Sequence, residues 1–337
     1  MRAIVYTETG SPSVLRLVDR EPIDPAAGEV RVRIAVSGVN PTDWKSRSSG
    51  LPLPFSEVVP NLDGAGTIDA VGPHVDGFRV GDRVWVFLAA HERQSGGTAQ
   101  EFTTLPVDRV VRLPDGASFE LGASLGVPAL TAHRALTVAE DGPGRLSPGA
   151  LDGKVVLVSG GAGAVGNAAI QLARWAGATV IATVSGAAKA ALATAAGAHH
   201  VVNYTETDAA ARIRNVAPDG VDIVAEVAAG RNVELNLAVI RNRGVIAVYG
   251  MDGGGAVTLD GRHFGLNMRY QFLLLYTVGR VAIAAGVADV TAAIEDGAFA
   301  VGADKGLPLH YFPLERTADA HAAVQDGAVG KVLIDLG

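Results

Sequence analysis

Hydrophobic and polar positions alternate in the first third of the chain and then change rhythm. Positions 30–36 read Val, Arg, Val, Arg, Ile, Ala, Val, a period of two that predicts a strand with one buried face. Segments 64–71 and 82–88 are further strand candidates, with Gly72-Pro73 and the stretch Gly77 to Gly81 as turns. Many short strands of this kind predict a barrel-like β domain. Segment 121–139 is apolar and Ala-rich and predicts a helix. From 154 onward a new rhythm sets in, with apolar strands predicted at 154–158, 179–184, 200–204, 222–227, 245–249 and 271–278. Helical stretches such as 165–176 and 187–196 lie between some of them. Buried strands alternating with helices predict a parallel sheet covered on both faces, and six such strands fit the doubly wound dinucleotide fold. A helix at 281–299, a short helix at 317–325 and a strand at 331–336 follow, and this tail is expected to return to the first domain.

Composition narrows the field. The 337 residues are 48% hydrophobic and 19% charged, enough to build two packed domains. The formal net charge is -7 and no Lys/Arg cluster is present, which argues against a nucleic-acid partner. The absence of cysteine excludes disulfides and thiolate metal ligands. The N-terminus lacks a signal-peptide pattern, and the longest apolar stretch, 272–278 with Arg280 close behind, is far shorter than the roughly 20 residues that span a bilayer. A soluble cytoplasmic protein without a membrane partner is expected.

The sharpest motif follows the strand at 154–158. Gly161, Gly163 and Gly166, with Ala162, Ala164 and Val165 between them, form G-x-G-x-x-G between a strand and a helix. Gly161 is expected to permit the tight turn, Gly163 to let the backbone approach a diphosphate, and Gly166 to let helix and strand pack closely. The helix N-terminus then favours the diphosphate charge. NAD binders commonly place Asp or Glu at the end of the second strand, to bond the ribose 2′-hydroxyl. Here that strand ends in Ser185-Gly186, with Lys189 in the next turn. Ser and Lys suit a 2′-phosphate, which predicts NADPH, although the spacing alone also fits Lys189 as a solvated helix residue.

Several ordered motifs carry a family resemblance over essentially the full length. Gly38-Val39-Asn40-Pro41-Thr42-Asp43, Gly64-Ala65-Gly66 through Val71-Gly72, Gly81-Asp82-Arg83-Val84, Gly97-Thr98-Ala99-Gln100-Glu101 and the segment from Pro128 to Leu136 all contribute, as do Gly197-Ala198 and Asn203-Tyr204. Together they resemble the quinone oxidoreductase (zeta-crystallin-like) branch of the medium-chain dehydrogenase/reductase superfamily. The resemblance implies a GroES-like β-barrel catalytic domain at 1–122 and 305–337 and an NADPH-binding Rossmann domain at 123–304, with a cleft where nicotinamide meets substrate. It implies that Lys189 and Tyr204 contact the 2′-phosphate, and that Ala162 to Val165 cradle the diphosphate. Tyr249, Gly250, Met251, Phe272, Leu273, Leu274 and Leu275 would line the nicotinamide, partly through backbone groups, with Thr131 beside it. It also implies a homodimer.

Zinc-containing members of the superfamily carry G-H-E where this chain has Asn61-Leu62-Asp63, and Cys where it has Asn40. Catalytic zinc needs about three protein ligands, and Leu62 offers none. The eight histidines are scattered, so no metal site is expected. Without a metal, reduction of a quinone or α,β-unsaturated carbonyl is easier than alcohol oxidation. Asn40 is the best donor candidate for a developing oxyanion, and a turn role at Asn40-Pro41 is its alternative. Lys45 stands where related quinone reductases carry Tyr, so that tyrosine's role does not transfer; Lys45 offers charge to the oxyanion or contacts solvent. An enoyl-thioester or pathway-specific tailoring reductase, with a basic entrance from Lys45, Arg47 and Arg93, is one alternative. A non-catalytic NADPH-binding protein is another.

Overall fold

The computed structural model describes residues 1–206 and 208–337. They form two units, Met1–Val127 with Leu309–Gly337, and Pro128–Pro308.

The first unit begins with a hairpin-like pair, β1 (Arg2–Val5) and β2 (Arg16–Asp19). Next come β3 (Glu29–Val39), helix α1 (Pro41–Arg47), β4 (Asp63–Val71), β5 (Arg83–Val86), β6 (Phe102–Pro106) and β7 (Val110–Arg112). The alternation predicted at 30–36 is realised in β3: Val30, Val32, Ile34 and Val36 are buried while Arg33 is exposed. Val30, Val32 and Ile34 pack with Ile68, Val84, Val86 and Leu105 into one core. Each fully buried aliphatic chain contributes roughly 1.5–3 kcal/mol relative to exposure. β3 and β4 approach closely at a bulge, where a Cβ on Gly66 would lie 1.9 Å from the Arg33 carbonyl oxygen. The apolar segment predicted as one helix is broken into α2 (Phe119–Gly122) and α3 (Gly126–Leu136). Residues 123–127 belong with the first unit, and the Val127 N–H donates to Asp63.

The second unit alternates β8 (Val155–Ser159), α4 (Ala164–Trp175), β9 (Thr179–Val184), α5 (Ala187–Ala195), β10 (His200–Asn203), α6 (Ala209–Val216), β11 (Val221–Glu226), α7 (Ala229–Val239), β12 (Ile240–Val248), β13 (Arg269–Phe272) and α8 (Arg280–Glu295). All five strand pairings are parallel, in the order β10-β9-β8-β11-β12-β13. The order reverses between β8 and β11, the point where doubly wound sheets bind ligands. The strand expected at 271–278 ends at Phe272, and Leu275–Thr277 is a 3-10 turn.

The chain then returns to the first unit with β14 (Leu309–Pro313), α9 (Thr317–Gln325) and β15 (Lys331–Asp335). β15 lies inside the sheet, antiparallel to β3 and parallel to β14. Its Val332 and Ile334 share a core with Ile4, Tyr6 and Val39.

Candidate functional site

In the second unit the glycine loop joins β8 to α4. The residue with positive φ is Gly160 (φ 70), so the tight turn expected of Gly161 belongs to its neighbour. Gly161 instead clears space, because a Cβ there would lie 2.8 Å from the Ala182 Cβ on β9. Gly166 shows the close packing expected of it: a Cβ would meet the Gly160 carbonyl oxygen at 2.3 Å. Gly163 caps α4 without a side-chain bond, and a Cβ on it would have as its nearest neighbour the Gly160 oxygen, at 3.5 Å. Ala162 is buried; Ala164 and Val165 are half-buried in the first turn, which holds no acidic residue. The loop therefore presents backbone amides and no opposing charge, which fits an anion.

At the end of β9, Lys189 Nζ donates to Ser185 Oγ at 3.2 Å. Tyr204 follows β10, half its surface exposed, with its N–H on the Val184 carbonyl. Ser185, Lys189 and Tyr204 thus gather at the ends of β9 and β10, and no carboxylate lies in the β9–α5 turn. The chemistry present there fits a phosphate monoester.

The loops after β11 and β12 are stitched together. The Tyr249 N–H donates to the Glu226 carbonyl, the Asp252 N–H to the Val227 carbonyl, and Met251 bridges Ala228. Gly250 allows this, since a Cβ would lie 2.6 Å from the Val227 oxygen. Burial, reinforced by Glu226 and Asp252, pushes the Tyr249 hydroxyl above the ordinary phenol range. Met251, Phe272 and Leu274 are exposed and Leu273 half-buried, while Leu275 is buried.

Sequence reasoning missed Glu226. Fully buried at the end of β11, its carboxylate accepts from Ser159 Oγ (2.9 Å), Asn236 Nδ2 (2.7 Å), Asn232 Nδ2 (2.9 Å) and the Ala228 N–H (2.6 Å). It ties the tips of β8 and β11 to α7 at the switch point. An acid closing a strand whose three preceding residues are apolar was the available signal. A cleft of about 340 Å³ in this unit, lined by Gln171, Arg174, Trp175 and Lys305, includes no residue of the glycine loop.

In the first unit Asn40 sits in a buried polar cluster. Its Nδ2 donates to Asp63 Oδ2 at 2.7 Å, and its Oδ1 accepts from Lys331 Nζ at 2.7 Å. Its backbone N–H donates to Asp43 Oδ2 at 2.7 Å, closing the start of α1, where Asn40 is the N-cap. With 1% of its surface exposed, Asn40 caps α1 and spends its side-chain amide on Asp63 and Lys331. Asp63 also accepts the Val127 N–H at 2.9 Å, and Lys331 Nζ lies 3.8 Å from it. Burial, aided by the neighbouring Asp63 charge, pushes the Asp43 carboxyl up to about 7 against the Asn40 and Leu62 N–H groups and Lys331. Burial likewise raises Asp63 and lowers Lys331, each opposed by the other's charge.

Lys45 is exposed on α1, its Nζ 5.8 Å from the ring centre of half-buried Trp44. Thr131 lies on α3 and is 8% exposed. Arg47 corrects an expectation. Far from forming a basic entrance, it is fully buried and donates to the Gly10 carbonyl and Gln325. Arg93 is held by Glu29 and the Thr104 carbonyl. Among the described residues no group of three His, Asp or Glu is placed to hold a metal, and no helix is long and apolar enough to cross a membrane.

A GroES-like strand unit and a doubly wound sheet with a glycine loop define a two-domain oxidoreductase. Residues 26–115 match the alcohol dehydrogenase GroES-like domain, and residues 164–293 match the zinc-binding dehydrogenase family. Quinone oxidoreductase from Rattus norvegicus is 31% identical over 99% of this chain and 97% of its own length. The structure of Escherichia coli quinone oxidoreductase complexed with NADPH superposes with a TM-score of 0.82 at 26% identity, covering all of both chains. An NAD-dependent alcohol dehydrogenase structure gives 0.85 at 29% identity, again over both whole chains. This chain belongs to the medium-chain dehydrogenase/reductase superfamily, in its quinone oxidoreductase branch.

Proposed function

We propose that the chain is an NADPH-dependent reductase that delivers hydride to a quinone or an α,β-unsaturated carbonyl without zinc. The observation that carries this reading is the seat of Asn40 and Asp63. Both stand at positions where zinc-containing relatives have Cys and the Glu of G-H-E, and both are committed to the Lys331 ammonium. Leu62, between Asn61 and Asp63, has no donor atom. That set does not fit a catalytic zinc, which takes about three N, S or O ligands. Without a Lewis acid to lower an alcohol's pKa, reduction of a conjugated acceptor is the easier direction.

The residues present fit NADPH, which supplies the hydride when bound. Gly163, Ala164 and Val165 offer backbone amides to the diphosphate, and Ser185, Lys189 and Tyr204 take the 2′-phosphate. Lys45 and Thr131 are assigned to the substrate as donors to its carbonyl oxygen, and solvent delivers the last proton. The test is NADPH consumption with a panel of quinones and enones, set against NADP-dependent oxidation of secondary alcohols. Reduction should be faster by about a hundredfold or more, the scale of one preorganised stabilising group. Alcohol oxidation as the faster reaction would sink the proposal, and equal rates with NADH would sink its cofactor half. In the same assay Lys189→Ala should weaken NADPH by about ten- to a hundredfold, the cost of one charged hydrogen bond, and leave NADH unchanged.

The proposal includes a homodimer. β13 is the last strand of its sheet and pairs only with β12 among the described residues, so one backbone edge is open. Nearby, Phe264 is 91% exposed and Val281 87% exposed. Light scattering at micromolar concentration should give twice the chain mass, and Phe264→Asp should shift it toward the monomer. A wild-type monomer would refute the assignment.

A further inference from the structure

Lys331 is a lysine placed where lysine is costly. It opens β15, is 1% exposed, and reaches across to the starts of two helices. Its Nζ donates to Asn40 Oδ1, the N-cap of α1. The other end of that amide donates to Asp63, whose carboxylate receives the Val127 N–H in the first turn of α3. One continuous set of bonds therefore runs from the last strand to α1, which carries Lys45, and to α3, which carries Thr131.

The backbone is cut to fit this chain of contacts. A Cβ on Gly38 would stand 3.0 Å from Lys331 Cε and 3.1 Å from Nζ, and would collide with the Ala123 oxygen at 2.0 Å. A Cβ on Gly126 would lie 2.1 Å from Asp63 Oδ1. Two glycines thus open the room that the ammonium and its carboxylate fill. The cluster holds two carboxylates, Asp43 and Asp63, against one ammonium, with Tyr6, Arg47 and His321 the further ionisable groups packed around α1. Removing the ammonium leaves two like charges in a buried site, a strongly unfavourable state.

We propose that Lys331 is a positioning residue: its ammonium, seated on Asn40 and Asp63, fixes the starts of α1 and α3 within the first unit and so the placement of Lys45. The assignment rests on the reductase reading for what Lys45 does. Lys331→Met keeps the length and removes the charge. At pH 8 its kcat with a benzoquinone should fall by about tenfold or more, while the NADPH dissociation constant stays within about twofold of wild type. Activity should partly recover toward pH 6, where a carboxylate takes up a proton and relieves the repulsion, so the variant's profile is more acid-favoured than the wild type's. Combining it with Asp63→Asn removes the opposing charge and should restore most of the lost kcat. A Lys331→Met enzyme with wild-type kcat and pH profile overturns the proposal. So does a double variant as slow as the single one, which would place the ammonium on the reacting atoms instead.

A second measurement needs no variant. In the wild-type protein the Asn40 side-chain amide protons should be protected from exchange and should shift as the cluster titrates. Rapidly exchanging, pH-insensitive protons overturn the proposal if Lys331→Met does not fold. If wild type reduces no quinone or enone, the reductase reading fails by itself, and the amide measurement alone decides whether Lys331 holds the two helix starts.

Discussion

Gly166→Val is expected to raise the NADPH dissociation constant by more than a hundredfold, about 3 kcal/mol. The first atom of any side chain at this position would meet the Gly160 carbonyl oxygen at 2.3 Å, the Gly160 carbonyl carbon at 3.0 Å and Gly161 Cα at 3.0 Å. All three are backbone, so none can swing aside as a side chain would. The conflict can be relieved only by moving the start of α4 off the loop. That takes the helix amides away from the diphosphate they are meant to hold. Overpacking of this kind costs roughly 1–3 kcal/mol of stability, which an ordinary two-domain protein survives, so binding fails before folding does. Titration calorimetry with NADPH, alongside circular dichroism, checks both halves. A folded variant that binds NADPH within about threefold of wild type would show that the loop does not cradle the diphosphate.

Glu226→Ala should destabilise the second unit by about 3–5 kcal/mol. Four donors converge on this carboxylate, from β8, α7 and the turn between β11 and α7. Removing it leaves them buried with no acceptor, each costing roughly 1–3 kcal/mol before relaxation, offset in part by no longer burying a charge. The thermal transition should fall by about 10 °C, since 1 kcal/mol shifts Tm by roughly 2–4 °C in units of this size. Glu226→Gln, which keeps the shape, should lose less than half as much. A drop under about 1 kcal/mol for the alanine variant would mean that the four donors find other partners.

Much of this architecture was legible in the residue pattern. The strand at 179–184 and the helix at 317–325 fall where the residue pattern puts them: the strand is a short, almost wholly buried apolar run, and the helix buries Thr317, Ala320 and His321 at three- and four-residue spacing. The break between α2 and α3 was not legible: Ala and Gly at 122–126 carry no strong stop, and the chain turns there because Asp63, distant in sequence, captures Val127. β13 ends early for a similar reason. The apolar run 271–278 has no periodicity to mark where the sheet stops and exposed loop begins.

Within the site, the glycine loop and Ser185–Lys189 were readable because their chemistry is local. The roles of Gly160 and Gly161 were not, since consecutive glycines share one motif signature and only φ separates them. Asn40 stood out in the sequence, yet its partners come from 63 and 331. Arg47 looked like surface charge because nothing adjacent to it announces burial. Long-range polar partners leave no periodic trace, and this is where sequence reading stopped.

The placement of β15 bears on how the chain is made. Its partner β3 lies some three hundred positions earlier, and the sheet of the first unit is incomplete until 331–335 have arrived between β3 and β14. During synthesis the strands of the second unit all leave the ribosome before β15 does, so that unit can fold on local pairings while the first still lacks an interior strand. Pairing across so long a separation carries a large loop-closure cost and is slow. Until it happens, Asp43 and Asp63 have no ammonium beside them and β3 shows an open edge. The nascent first unit is therefore the part open to mispairing for longest, and the arrival of β15 closes that interval.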